Sequence, residues 1–222
     1  MPKHVTTGPA FDRAGLIHRV RQPDTSGPHP TVVLIQGRLG NEDVPWVFAP
    51  TIPKHYLLVA PRAIKAESKD GFSWHMPTGQ FPTLDQFDEA TAALAHFINA
   101  LPELYNADLN NLYLLGFSQG AAASIATALN NPDLVKAIAC LVGFTPRDVD
   151  YLIPYQPLAN LPIFMAVGTE DDTIPLDFAR NSGEMLTELG ADLTYEEYQT
   201  GHKLNAAGMR QLKAWWRQRP AS

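Results

Sequence analysis

The sequence predicts a single α/β domain over residues 1–222, a mainly parallel sheet with helices on both faces. Three observations point there. Short apolar runs alternate along the chain with longer stretches that carry apolar residues at helical spacing. The runs are continuous in apolar character rather than alternating, as strands buried on both faces should be. No repeat, low-complexity tract or inter-domain linker interrupts the pattern. Segment 14–20, "AGLIHRV", is expected as an additional edge strand. "TVVLIQG" (31–37) and "HYLLVAP" (55–61) are β-branched or leucine-rich strands closed by glycine or proline. Residues 84–101 place Leu84, Phe87, Ala90, Leu94, Phe97, Ile98 and Leu101 on one helical face. The next strand is 111–117 and the next helix 119–131, stopped near Pro132. Strands 134–143 and 161–168, a helix over 176–189, a strand over 193–199 and a helix over 204–217 complete the order. The proline-rich pieces 22–30 and 146–162 read as loops.

Composition narrows the function. The chain has 222 residues, 45% of them hydrophobic, enough for a real core. Seventeen basic against 23 acidic residues leave a net charge of −6 with no Lys/Arg block, so nucleic acid is not an expected partner. The single cysteine, Cys140, sits in an apolar run and is expected as a small buried hydrophobe. One cysteine excludes an internal disulfide framework and thiol-rich metal sites. The first residues lack the apolar segment of a secretory leader, and no run approaches the roughly 18 residues of a membrane span. A cytoplasmic protein, monomer or homodimer, is expected.

Chemistry concentrates at "YLLGFSQGAAASIA", residues 113–126. Gly-x-Ser-x-Gly follows a predicted strand and opens a predicted helix, the setting of a nucleophile elbow. In that turn Gly116 and Gly120 make room where a Cβ would clash, and Ser118 is held at the tip. The helix amino end beneath it offers the backbone N–H of Gln119 to an oxyanion. The competing reading is an ordinary serine cap on a helix. A serine nucleophile needs a base, and in this arrangement the order is serine, acid, histidine. Of seven histidines only His202 lies after Ser118, in the loop between the last strand and the last helix. The acid should leave a strand between them, where "VGTEDDTIP" (167–175) offers Glu170, Asp171 and Asp172. These acids could also cap the next helix, with Asp172 or Thr173 at the cap position. Asp148 and Asp150 are weaker candidates. A second oxyanion donor is expected after an early strand, and "LIQGRLGNED" (34–43) supplies the backbone N–H of Arg38. The Arg38 side chain could be solvated or could screen the site.

Taken together, "LIQG", "APRA" (60–63), "GFSWH" (71–75), "GFSQGAA" (116–122), "GFTP" (143–146), "GTEDDTIP" (168–175) and "GH" (201–202) resemble the phospholipase/carboxylesterase family of small α/β-hydrolases, which includes the acyl-protein thioesterases. The resemblance implies a single-domain α/β-hydrolase fold without a large lid. It implies Ser118 as nucleophile, Asp171 rather than Asp172 as acid and His202 as base, with oxyanion donors at Arg38 and Gln119. Trp74 and Phe144 fall where family members line the acyl site, although both could be loop aromatics packed on the sheet edge. Gln36 stands where the family usually has histidine, which bears on the geometry of the oxyanion loop. The charge of Arg38 argues against long apolar acyl chains. The expected substrate is a small-molecule ester or thioester, short- to medium-chain esters first, and the chemistry needs no metal or organic cofactor. Loop 145–162, with Tyr151, Ile153 and Tyr155, could edge a pocket or cover the sheet. A peptidase on the same fold, or a non-catalytic binding protein, would be the alternative; the latter normally lacks part of the serine–acid–histidine set.

Overall fold

The computed structural model describes residues 2–219. Its elements run β1 (Lys3–Val5), α1 (Pro9–Ala14), β2 (His18–Arg21), β3 (His29–Ile35), β4 (Leu57–Pro61), β5 (Lys65–Ala66), β6 (Phe72–Ser73), α2 (Asp88–Tyr105), β7 (Ala107–Phe117) and α3 (Gln119–Asn130). There follow β8 (Ala137–Leu141), β9 (Pro162–Gly168), α4 (Leu176–Glu188), β10 (Asp192–Tyr198) and α5 (Ala206–Trp216). Eight strands form one sheet in the order β1-β2-β4-β3-β7-β8-β9-β10. The pairs β1/β2 and β2/β4 are antiparallel and the rest parallel. The short pair β5/β6 stands apart.

Burial on both faces explains the continuous apolar runs. Every residue of β3, β4 and β8 is buried. Strand periodicity then splits each run between two cores. Val33, Ile35, Leu112 and Leu114 join the core that packs with α1 to α4. Val32, Leu34, Tyr113 and Leu115 join a second core with Phe48, Leu212 and Trp216, under α5 and a 3₁₀ helix at Val44–Thr51. Cys140 is wholly buried, and burial pushes its thiol up to about 12. No helix among the described residues is long and apolar enough to cross a membrane.

Several boundaries differ from expectation, and three of the differences have a clear local reason. Segment 14–20 is not one edge strand: Ala14 ends α1, Gly15 closes it at φ 74°, and β2 begins only at His18. β2 lies inside the sheet, and β1 is the edge. Helix α2 runs past Pro102 to Tyr105, because a proline in the last turn loses a single hydrogen bond. Asn106, at φ 56°, ends it by donating to the carbonyls of Leu101 and Pro102. β8 is shorter than 134–143 because Val142 turns to φ 48°. Loop 146–162 contains a 3₁₀ helix, Asp150–Tyr155.

One buried ion pair ties the amino-terminal segment to the sheet. The Glu42 side chain is 2% exposed and accepts from Arg62 Nε at 2.6 Å and Nη2 at 2.7 Å, while His4 Nε2 lies 2.7 Å away. Burial alone would push the Glu42 carboxyl up. Hydrogen bonds from Arg62 and His4, with the Arg62 charge, outweigh it and hold the carboxyl below its usual range. A depressed carboxyl stabilises the fold above the ordinary carboxylate pKa, and that contribution is lost as pH falls through the folded value. Arg62→Ala should therefore lower the unfolding free energy by about 3 kcal/mol at neutral pH, by leaving a buried charge uncompensated. Urea titrations of both proteins should show the difference shrinking as the medium is acidified below about pH 4.

Candidate active site

The carboxyl end of β7 meets the amino end of α3 at Ser118, whose backbone sits at φ 54° and ψ −121°. This strained turn is fixed from both sides. The Ser118 N–H donates to the Leu141 carbonyl at 2.9 Å, and the Ser118 carbonyl accepts from Ala121 N–H at 2.9 Å. A Cβ on Gly116 would lie 2.3 Å from the Gly120 carbonyl oxygen. One on Gly120 would lie 2.3 Å from the carbonyl oxygens of both Ile35 and Gln36. Only glycine lets α3 press its amino end against β7 and β3 this closely. The result lifts the Ser118 side chain off the sheet.

Two later loops bring an acid and a histidine to it. β9 and β10 pair in parallel with Gly168 opposite Tyr198. The ladder continues beyond the strands, where Thr169 N–H donates to Tyr198 and Glu170 N–H to Thr200. The loops therefore travel side by side, and Asp171 reaches His202. His202 Nδ1 lies 2.8 Å from Asp171 Oδ2, and Nε2 lies 2.9 Å from Ser118 Oγ. The carboxylate can only accept, so Nδ1 carries the proton and Nε2 is left to accept from the serine hydroxyl. The other carboxylate oxygen, Oδ1, accepts from the N–H groups of Thr173 (2.8 Å) and Ile174 (2.9 Å). The Asp171 side chain is 2% exposed, whereas Glu170, Asp172, Asp148 and Asp150 are exposed. Neither Asp172 nor Thr173 caps the next helix: α4 starts after Pro175 with no side-chain cap, and Asp171 itself orders the turn. The Phe117 ring meets the imidazole edge-on at 5.2 Å.

Loop 36–40, where an oxyanion donor is expected, is tied down by segment 72–75. Gln36 Nε2 donates to the Phe72 carbonyl at 3.0 Å, Phe72 N–H to Gly40 at 2.8 Å, and the Trp74 indole N–H to the Gln36 carbonyl at 2.9 Å. The same segment holds the elbow, because Trp74 N–H donates to Gln119 Oε1 (2.8 Å) and Gln119 Nε2 to the His75 carbonyl (2.8 Å). The Arg38 side chain is half-exposed at the rim of the site. It is clamped on Glu67, with Nε 2.7 Å from Oε1, and Glu67 also takes the Ser73 hydroxyl. Hydrogen bonds from Arg38 and Ser73 hold the Glu67 carboxyl below its usual range. The backbone N–H groups of Arg38 and Gln119 donate to no group among the described residues; Gln119 opens α3 and so has no partner within its helix.

A cavity of about 340 Å³ opens beside Ser118, lined by Arg38, Gln119, Phe144, Phe81, Ile174 and His75 among others. Phe144 lines it and packs edge-on against Phe81 at 5.0 Å. Trp74 does not. Its ring is 1% exposed, turned inward by its bond to Gln36, and its neighbour His75 lines the wall instead. Phe81 carried no sequence signal, because "HMPTGQFP" (75–82) has neither helical nor strand periodicity, and His75 was marked only as the end of "GFSWH", with no role assigned. Tyr151 and Tyr155 of loop 145–162 point to solvent at 64% and 78% exposure, away from the cavity.

The profile of the Phospholipase/Carboxylesterase family matches residues 18–218. The chain belongs to this family. It is 34% identical over 93 residues to acyl-protein thioesterase 1 of Emericella nidulans, covering 40% of this chain and 39% of that protein. To acyl-protein thioesterase 1 of Debaryomyces hansenii it is 31% identical over 109 residues, covering 48% and 47%. The chain thus matches about two-fifths to one-half of the length of these relatives. Among solved structures, a carboxylesterase from Mesorhizobium loti superposes with a TM-score of 0.82 at 21% identity, over 98% of this chain and 99% of that one. The Bacillus cereus carboxylesterase gives 0.79 at 21% identity, over 95% and 97%. The fold is that of the α/β-hydrolases.

The close approach of α3 to β3 is directly testable. Gly120→Ala should force the elbow away from the Ile35 and Gln36 carbonyls and lower stability by about 3 kcal/mol, the upper range for overpacking. Thermal unfolding of the variant, against a surface Gly79→Ala control open on all sides but strained by its positive φ, should rank Gly120→Ala as the more damaging.

Proposed function

We propose that this chain hydrolyses carboxylic esters with short- to medium-chain acyl groups through an acyl-serine intermediate. The observation that carries the reading is the position of His202, 2.9 Å from Ser118 Oγ and 2.8 Å from Asp171 Oδ2. In this mechanism Ser118 Oγ attacks the ester carbonyl carbon as its proton passes to His202 Nε2. Asp171 holds the tautomer and stabilises the imidazolium. The backbone N–H groups of Arg38 and Gln119 donate to the developing oxyanion, each worth on the order of 10²–10³ in rate. His202 then returns its proton to the departing alkoxide. A water molecule, deprotonated by the same nitrogen, attacks the acyl-enzyme, releases the acid and restores the serine hydroxyl.

The cavity of about 340 Å³, at the small end for ligand pockets, supports a limited acyl length. Its aromatic wall of Phe81 and Phe144 suits an apolar acyl group. A second reading, thioester hydrolysis by the same residues, draws on the relatives named acyl-protein thioesterase 1.

The test is hydrolysis of p-nitrophenyl esters from acetate to palmitate. Ser118→Ala and His202→Ala should each reduce kcat on the order of 10⁴-fold or more, and together no further, because the residues act as a unit. The wild-type optimum should fall at short to medium chains. A folded wild type inactive on every ester but active on acyl thioesters would favour the second reading. Full activity in Ser118→Ala would overturn both.

A further inference from the structure

The end of the sheet opposite Ser118 carries an unexplained concentration of positive charge. Beneath α5, at the amino ends of the strands, a cavity of about 450 Å³ is lined by Lys54, His55, Lys213, Arg217 and Arg219. No acidic residue lines it, although the chain carries 23 acids and a net charge of −6. None of these five side chains forms a salt bridge among the described residues. Lys54 also borders an adjoining cavity of about 510 Å³, where Lys3 and Arg21 join it and Asp24 is the sole acid.

A second, independent observation falls on the same residues. Tyr56 and Trp216, 1% and 0% exposed, both line the first cavity. The Tyr56 hydroxyl, the Trp216 indole N–H and Arg219 Nε are buried without a hydrogen-bond partner, as is Arg21 Nη2 next door. Only seven buried side-chain polar atoms among the described residues lack a partner, and these two adjoining cavities hold four of them. A buried polar group left unpaired costs about 1–3 kcal/mol, so four of them around two adjoining cavities single out this end of the molecule. All four are hydrogen-bond donors. Burial pushes the Tyr56 hydroxyl up to about 12, which keeps its proton in place at neutral pH. Burial also holds Arg21 below its usual range, as expected of a cation short of a counter-charge.

We propose that this cavity binds a phosphate-bearing polyanion. The lining offers donors and cations without a competing carboxylate, and phosphate is a polyvalent group made of acceptors. Pro50, Ile52 and Pro53 line the same cavity and give an organic portion of a phosphate ester an apolar wall. The site is separate from Ser118, which follows the carboxyl end of β7; Tyr56 precedes the amino end of β4.

The probe is inorganic pyrophosphate, titrated calorimetrically into the full chain at low ionic strength. The wild type should bind, with affinity falling as salt is added. Lys213→Glu and Arg217→Glu, both at exposed residues of the rim, should each weaken binding by about tenfold or more, while Lys69→Glu, in the loop between β5 and β6 and outside both cavities, should not. Ester hydrolysis should be unchanged in both rim variants, which also shows that they fold. A flotation assay with phosphatidic acid in phosphatidylcholine vesicles separates the sources. Co-flotation lost in Lys213→Glu assigns a lipid head group, and pyrophosphate binding without co-flotation assigns a free phosphate ester. Neither pyrophosphate nor vesicle binding by the wild type would overturn the proposal. So would binding that survives both rim substitutions, or that Lys69→Glu weakens equally.

Discussion

The amino end of α3 rests directly on the carboxyl end of β3, with no side chain between Gly120 and the carbonyl oxygens of Ile35 and Gln36. That contact turns the chain sharply at Ser118 and brings two loops from separate strands within reach of one oxygen atom. Had any residue with a Cβ stood at position 120, α3 would sit further out. The backbone N–H of Gln119 and the loop from Gln36 to Gly40 would then no longer face the same point. The strain at Ser118, a non-glycine residue at φ 54°, is sustained because hydrogen bonds to Leu141 and Ala121 leave the turn no alternative.

Segment 72–75 acts as the brace for this arrangement. It hydrogen-bonds to Gln36 and Gly40 on one side and to the Gln119 amide on the other. The two loops proposed to supply the oxyanion donors are therefore held to a common support rather than to each other. Gln36 fits this role: its amide reaches the Phe72 carbonyl, and its own carbonyl takes the Trp74 indole. Glu67 adds a charged anchor through Arg38 and Ser73. Preorganised N–H groups stabilise developing charge because nothing has to reorient during reaction.

What was readable in the sequence follows from how local each signal is. Gly116, Ser118 and Gly120 lie within five residues, and their strand-to-helix context declares the elbow without long-range knowledge. Asp171 and His202 are 31 residues apart, yet each follows a recognisable strand, so parallel pairing of β9 and β10 places both at one edge. Trp74 shows the limit. Its position in "GFSWH" was legible, but the direction of its ring depends on an acceptor, the Gln36 carbonyl, 38 residues away. Phe81 and His75 sit in an aperiodic loop whose path is set by the strands around it. The cations opposite the elbow were invisible for a related reason: Lys54, Lys213, Arg217 and Arg219 come from two distant segments, and only the fold assembles them.

Ser118 as the acylated residue is the claim on which the proposed chemistry stands, and covalent capture tests it most directly. The folded chain would be treated with a fluorophosphonate, and its intact mass and peptide map recorded beside those of Ser118→Ala. The expected result is one adduct, on the peptide containing Ser118, absent from the variant. An unmodified wild type, or an adduct that persists in Ser118→Ala, would contradict it.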